Sequence, residues 1–153
     1  MPTYTLRFAA FALACSLFGP VSALGADTEE TPASASSIDF DLLRTLVDAQ
    51  KYDEALTGLR RLDQQSPNNP DVLNLIGFSL RKTGKLDEAL DYYNRALALN
   101  PQHRGANEYL GELYLETKRP EKARERLDVL RQACGDCEEF EDLQKEISLY
   151  AAQ

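Results

Sequence analysis

From residue 36 onward the chain alternates short apolar stripes with polar runs at helical rather than strand spacing. Leu73, Ile76, Gly77 and Leu80 recur at intervals of three and four, and so do Leu86, Ala89, Leu90, Tyr93 and Leu97. That periodicity puts each set on one face of an α-helix. The two stripes face each other across the turn Lys82-Thr83-Gly84-Lys85, and the small residues Gly77 and Ala89 let the two helix axes come close. Asn69 before Pro70 reads as an N-cap preceding a first-turn proline. A last stripe, Phe140, Leu143, Ile147 and Tyr150, predicts an amphipathic helix over 138–152.

The stripes repeat. Ala55, Ala89 and Ala123 are evenly spaced, and the same interval separates Gly77 from Gly111 and runs from Leu46 to Leu80 to Tyr114. Pro67 and Pro101 keep it too, with Gly135 at the third place. A multi-column period of about 34 residues denotes stacked helical hairpins, each leaving an apolar side for its neighbour to cover. The prolines end one unit before the next begins.

These residues resemble the tetratricopeptide repeat. In 70–101, Leu73 fills the large opening place of the first helix, Ile76 and Gly77 follow, and Leu80 comes three later. Ala89, Tyr93 and Ala96 fill the second helix, and Pro101 closes the unit. The third unit keeps Leu110, Gly111, Tyr114, Ala123 and Leu127 but has Asn107 at the opening place and Leu130 for the later Ala. The first keeps Leu42, Leu46, Ala55, Leu59 and Pro67 but has Leu43 where Gly belongs. The resemblance implies an all-α solenoid of about three units, 36–69, 70–103 and 104–137, with 138–153 as a solvating cap.

Composition agrees. Hydrophobic residues make up 43% and charged ones 27%, enough for one core, and with aromatics at only 8% the residue choice favours helix over strand. The net charge of -8 disfavours nucleic acid and anionic membrane surfaces and makes basic or neutral partners the better fit.

The segment Met1–Ala23 has a different character. Arg7 is the lone charge, Phe8–Phe18 is apolar, Gly19-Pro20 breaks the run, and Val21-Ser22-Ala23 offers small residues for cleavage. This is the pattern of a secretory signal peptide cut after Ala23, with Ala26 the second choice. The apolar run is too short for a membrane span, so no membrane insertion follows cleavage. A periplasmic or secreted mature chain is expected, with 24–35, rich in Ala, Ser, Thr, Glu and Pro, as a flexible linker.

Cleavage removes Cys15 and leaves Cys134 and Cys137 in an oxidising compartment, where a disulfide is expected. The C-x-x-C could also be redox-active or bind metal. A thioredoxin-like centre needs a strand, and none is predicted; Asp136, Glu138 and Glu139 disfavour a thiolate. Zinc wants four ligands, and only His103 could join the pair. The reading is a structural disulfide worth roughly 2 kcal/mol at the turn into the cap, with Asp136 as N-cap and Glu139 three later. The stretch Cys137-Glu138-Glu139-Phe140-Glu141-Asp142-Leu143 resembles the C-terminal pattern of small exported bacterial repeat proteins.

The resemblance further implies that the first helix of each unit lines a concave groove. The residues placed there are Phe40, Arg44, Val47 and Asp48; Asn74, Leu75, Phe78, Arg81 and Lys82; and Glu108, Tyr109, Glu112 and Glu116. Phe40, Phe78 and Tyr109 would anchor a partner, with Arg44, Arg81 and Lys82 available to an acidic segment. Relatives that grip a terminal carboxylate use Lys, Asn and Arg where this chain has Phe40, Arg44, Leu75, Gly105 and Tyr109, so that activity does not carry over. His103, in the turn after Pro101, reads as exposed and inert. The expected function is a non-catalytic, monomeric protein-binding scaffold without cofactor or metal. The alternative is a periplasmic thiol-disulfide protein using Cys134 and Cys137.

Overall fold

The computed structural model describes residues 39–152. The leader, the linker, residues 36–38 of the first unit and Gln153 lie outside the described residues. Within 39–152 there are seven α-helices and no strand: α1 (Phe40–Asp48), α2 (Tyr52–Gln65), α3 (Pro70–Lys82), α4 (Leu86–Leu99), α5 (Arg104–Glu116), α6 (Pro120–Cys134) and α7 (Glu138–Ala151). Three hairpins, α1–α2, α3–α4 and α5–α6, stack in chain order, and α7 packs on both α5 and α6. The first helices also touch in series, α1 to α3, α3 to α5 and α5 to α7, forming one continuous face.

The period is visible in the backbone as well as in the side chains. Each hairpin turn places one residue in the left-handed region at the same point of the repeat: Gln50 (φ 59°), Gly84 (φ 78°) and Lys118 (φ 58°). At each turn the next amide, of Lys51, Lys85 or Arg119, donates to the carbonyl of Leu46, Leu80 or Tyr114 at 2.7–2.9 Å. This pairing closes a helix that ends in a left-handed residue. Only the middle unit uses glycine, for which that conformation carries no Cβ penalty.

The core follows the alanine column. Ala55, Ala89 and Ala123 are fully buried, the first two in one cluster with Leu59, Ile76, Leu80, Tyr93, Leu110 and Leu113, and Ala123 in a second with Leu115, Leu127 and Leu130. A Cβ on Gly77 would fall 2.7 Å from the ring of Tyr93, so glycine is what lets α3 close on α4. A Cβ on Gly111 would meet Leu143 of α7 instead, at 2.5 Å. The two glycines serve the same position on successive helices, one against its own unit and one against the cap. In the first unit Leu43 occupies the glycine place, and the space is yielded by Gly58 on α2, whose hydrogen faces the Leu43 side chain.

Two departures from expectation concern polar groups. Asn107, at the opening apolar place of the third unit, is fully buried. Its amide nitrogen donates to the carbonyls of Pro101 and His103, both at 3.0 Å, and its oxygen accepts from Arg126 at 3.4 Å. A satisfied amide can replace a leucine in a core. Asp136 does not cap α7: the N-cap is Cys137, without a side-chain cap bond. The three glutamates of the first turn, Glu138, Glu139 and Glu141, supply the favourable charge there.

Candidate functional site: the groove along α1, α3, α5 and α7

The first helices present one face to a concavity of about 600 Å³. It is lined by Phe40 and Arg44 from α1, Asn74 and Leu75 from α3, Tyr109 from α5 and Glu139 from α7. Gln102 and His103 of the turn before α5, and Arg104 and Gly105 at the start of α5, line it as well. Five of the expected groove residues therefore meet in one space. Asn74 is 7% exposed and no described residue donates to its buried Oδ1.

Phe78, Arg81, Lys82, Tyr109 and Glu112 form an adjoining cluster. The Phe78 ring lies 4.7 Å from that of Tyr109 and 6.2 Å, edge on, from that of Tyr52, an aromatic ridge crossing three units. Lys82 extends over the Phe78 ring at 5.2 Å and remains exposed.

Arg81 departs from the expected role. Its side chain is 4% exposed, ion-paired with Glu112 and, at 2.5 Å, with Glu116, and its guanidinium lies 5.6 Å from the Phe78 ring and 5.9 Å from that of Tyr109. Burial opposes its charge, but Tyr93, Glu112 and Glu116 outweigh that and raise its pKa. It joins α3 to α5 and is not free for a partner; Arg44 and Lys82 are the exposed cations of the expected set. Val47 also lies elsewhere, 5% exposed within the core. Asp48 and Glu116 are exposed at the C-terminal ends of their helices.

Glu108 is 7% exposed, and among the described residues it has no ion pair or side-chain hydrogen bond. Burial, with the charges of Glu112, Asp142 and Glu139, pushes its carboxyl up to about 8 against the pull of Arg81. Burial also raises the pKa of Glu112, moderated by Arg81, and lifts the Tyr109 hydroxyl to about 12. His103 is neither exposed nor unpartnered: its side chain is 11% exposed, its Nε2 lies 3.0 Å from Asp71, and its Nδ1 accepts from the Ala106 amide at 3.1 Å, capping α5. Its place one repeat beyond the N-cap Asn69 is the signal in the sequence for this role. Cys134 and Cys137 stand with Cα atoms 5.6 Å apart, within the range for a disulfide.

The tetratricopeptide repeat family matches the chain twice, over residues 40–101 and over 80–147. The chain is a tetratricopeptide repeat protein. Together the two matches span all three hairpins and most of α7. The repeat architecture is shared with the first tetratricopeptide domain of Spaghetti (RPAP3), solved with the HSP90 peptide SRMEEVD: TM-score 0.65, 20% identity, covering 74% of this chain and 90% of that one. It is shared too with the Yersinia enterocolitica type III secretion chaperone SycD in complex with a peptide of the translocator YopD: TM-score 0.62, 16% identity, covering 73% and 86%. In sequence, the repeat protein is 33% identical over 94 residues to the tetratricopeptide repeat-containing thioredoxin TTL4 of Arabidopsis thaliana. That match covers 61% of this chain and 13% of the relative's length.

Proposed function

We propose that this tetratricopeptide repeat protein is a non-catalytic adaptor of the bacterial cell envelope that holds a segment of a partner protein in the groove along α1, α3 and α5. The observation that carries the reading is a row of apolar side chains along that groove. Phe40, Leu75, Phe78 and Tyr109 are half-buried along one continuous face, and neighbouring rings hold Phe78 in place. Preformed aromatic anchors of this kind contribute most of the energy in protein interfaces. Two proteins of the same fold, SycD and Spaghetti, are solved with peptides, which supports the same use here.

Export rests on the leader pattern of residues 1–23, with cleavage after Ala23 and a periplasmic or secreted mature chain. In that setting Cys134 and Cys137 form a disulfide that sets the angle at which α7 leaves α6. The chain acts as a monomer, because the polar outer face of α7 closes the stack.

Capture of partners from envelope extract by the mature chain, compared with a Phe78→Ala, Leu75→Ala variant of unchanged helicity, tests the reading. Recovery should fall at least about tenfold, since two anchors are each worth a kcal/mol or more. Equal recovery rejects the groove.

A further inference from the structure

Along the concave face, the positions one, two and three repeats beyond Phe40 hold Asn74, Glu108 and Asp142. The face passes from an aromatic ring to an amide to carboxylates. Two of these groups lack what burial requires. Glu108 is 7% exposed and forms no ion pair among the described residues, and Asn74 has a buried oxygen with no donor. A polar group in that state costs free energy that a ligand supplying the partner recovers. The nearby cations do not meet the need: Arg81 is taken by Glu112 and Glu116, and Arg104 is an exposed side chain 3.6 Å from Glu139.

We propose that the α5–α7 end of the groove is a subsite for a positively charged side chain, an arginine or lysine of the partner segment. That side chain sits against Glu108 and Glu139, with the Asn74 amide as a further acceptor, while apolar residues beside it pack on Leu75 and Tyr109. The subsite rests on the adaptor reading and names the chemistry of its partner. Charge complementarity selects the occupant. Glu139 lines the same concavity as Phe40 and Leu75, and at this end the carboxylates of Glu108, Glu112, Glu139 and Asp142 outnumber the cations Arg81 and Arg104. A side chain with several N–H donors on an apolar stem matches the carboxylates and the apolar residues at once. The chain's net charge of -8 draws a basic segment in from long range.

Cation binding requires the Glu108 carboxylate, so it expels the proton that burial favours. Affinity therefore rises with pH through the titration of Glu108. The groups facing that carboxyl are Glu112 and Tyr109 on α5, Glu139 and Asp142 on α7, and Arg81 on α3. All three other acids oppose its ionisation and are themselves relieved by an incoming cation.

The test uses a labelled peptide of alternating leucine and arginine and the same peptide with citrulline, the uncharged isostere, at each arginine. Fluorescence anisotropy should show the full mature chain binding the arginine peptide at least about tenfold more tightly, as expected for a charge-assisted hydrogen-bonded contact. Glu108→Gln should reduce that preference to within about twofold. Glu88→Gln, which removes the same charge from an exposed site paired with Arg60, should keep it. The preference should widen from about pH 6.5 to about pH 9 in the parent and stay flat in Glu108→Gln. Equal affinity for the two peptides, binding of neither, or a preference that survives Glu108→Gln overturns the subsite. Envelope capture separates this from the adaptor reading. Partner recovery lost with Phe78→Ala, Leu75→Ala but undiminished with Glu108→Gln rejects the subsite alone; recovery equal in all three rejects both.

Discussion

At the scale of single residues, Glu108 is the least settled group in the fold. Its carboxyl titrates near 8 in the folded chain against an ordinary 4.5, because burial and three neighbouring acids disfavour its charge. The folded state therefore holds a proton that the unfolded chain releases once pH passes 4.5. Stability falls as pH rises from that point and levels off above about 8. Glu108→Gln removes the penalty. Urea unfolding at pH 5 and at pH 8.5 should show the parent losing about 2 kcal/mol more than the variant, below the full value of about 1.4 kcal/mol per pH unit because the groove is open to water. Parallel losses in the two proteins would mean that Glu108 is ionised in the fold. Asn107 and His103 belong to the same scale: Asn107 stands at an apolar place of the repeat and His103 at the N-cap place of Asn69, and both are satisfied by hydrogen bonds at the junction after α4.

At the scale of elements, the three hairpin turns are one structure written with three residues. Gln50, Gly84 and Lys118 share a left-handed backbone, and the residue after each makes the same closing bond to the helix before it. A side chain with a Cβ is strained there, and glycine is not. Lys118→Gly should therefore stabilise the protein by up to about 1 kcal/mol, with the extra freedom of glycine in the unfolded chain offsetting part of the gain. A rise in urea midpoint at unchanged slope is the expected reading, and a fall would show that the Lys118 side chain contributes more than its backbone strain costs.

For the stack of hairpins as a whole, α7 has the largest consequence. It covers a second apolar cluster containing Leu115, Leu127 and Leu130, to which it contributes Leu143 and Ile147. It also supplies the Leu143 contact at Gly111. A chain ending at residue 137 would open that cluster to water, and stacked repeats need a polar terminal helix for solubility. Such a truncation should aggregate or lose cooperative unfolding in size-exclusion and thermal melts, while the full mature chain should stay dispersed and unfold cooperatively. A soluble, cooperative truncation would show that three hairpins close their own core.

The amino-acid sequence by itself determined the helices, their pairing and the face each one buries. A fixed repeat writes the same local preferences three times over, and stacking buries the same columns each time. It also identified the groove helices and brought Phe40, Arg44, Asn74, Leu75 and Tyr109 to the concavity. What it did not determine was the state of the polar groups on that face. Arg81 and Lys82 are adjacent on one helix, yet one is tied inside an ion pair and the other is free. His103 and Asn107 read as an idle side chain and an irregular one until Asp71, the Ala106 amide and the Pro101 carbonyl are brought beside them. Apolar burial depends on period, which lies along the chain. Charge, hydrogen bonding and proton affinity depend on which groups from other helices stand within a few ångströms, and only the tertiary structure decides that.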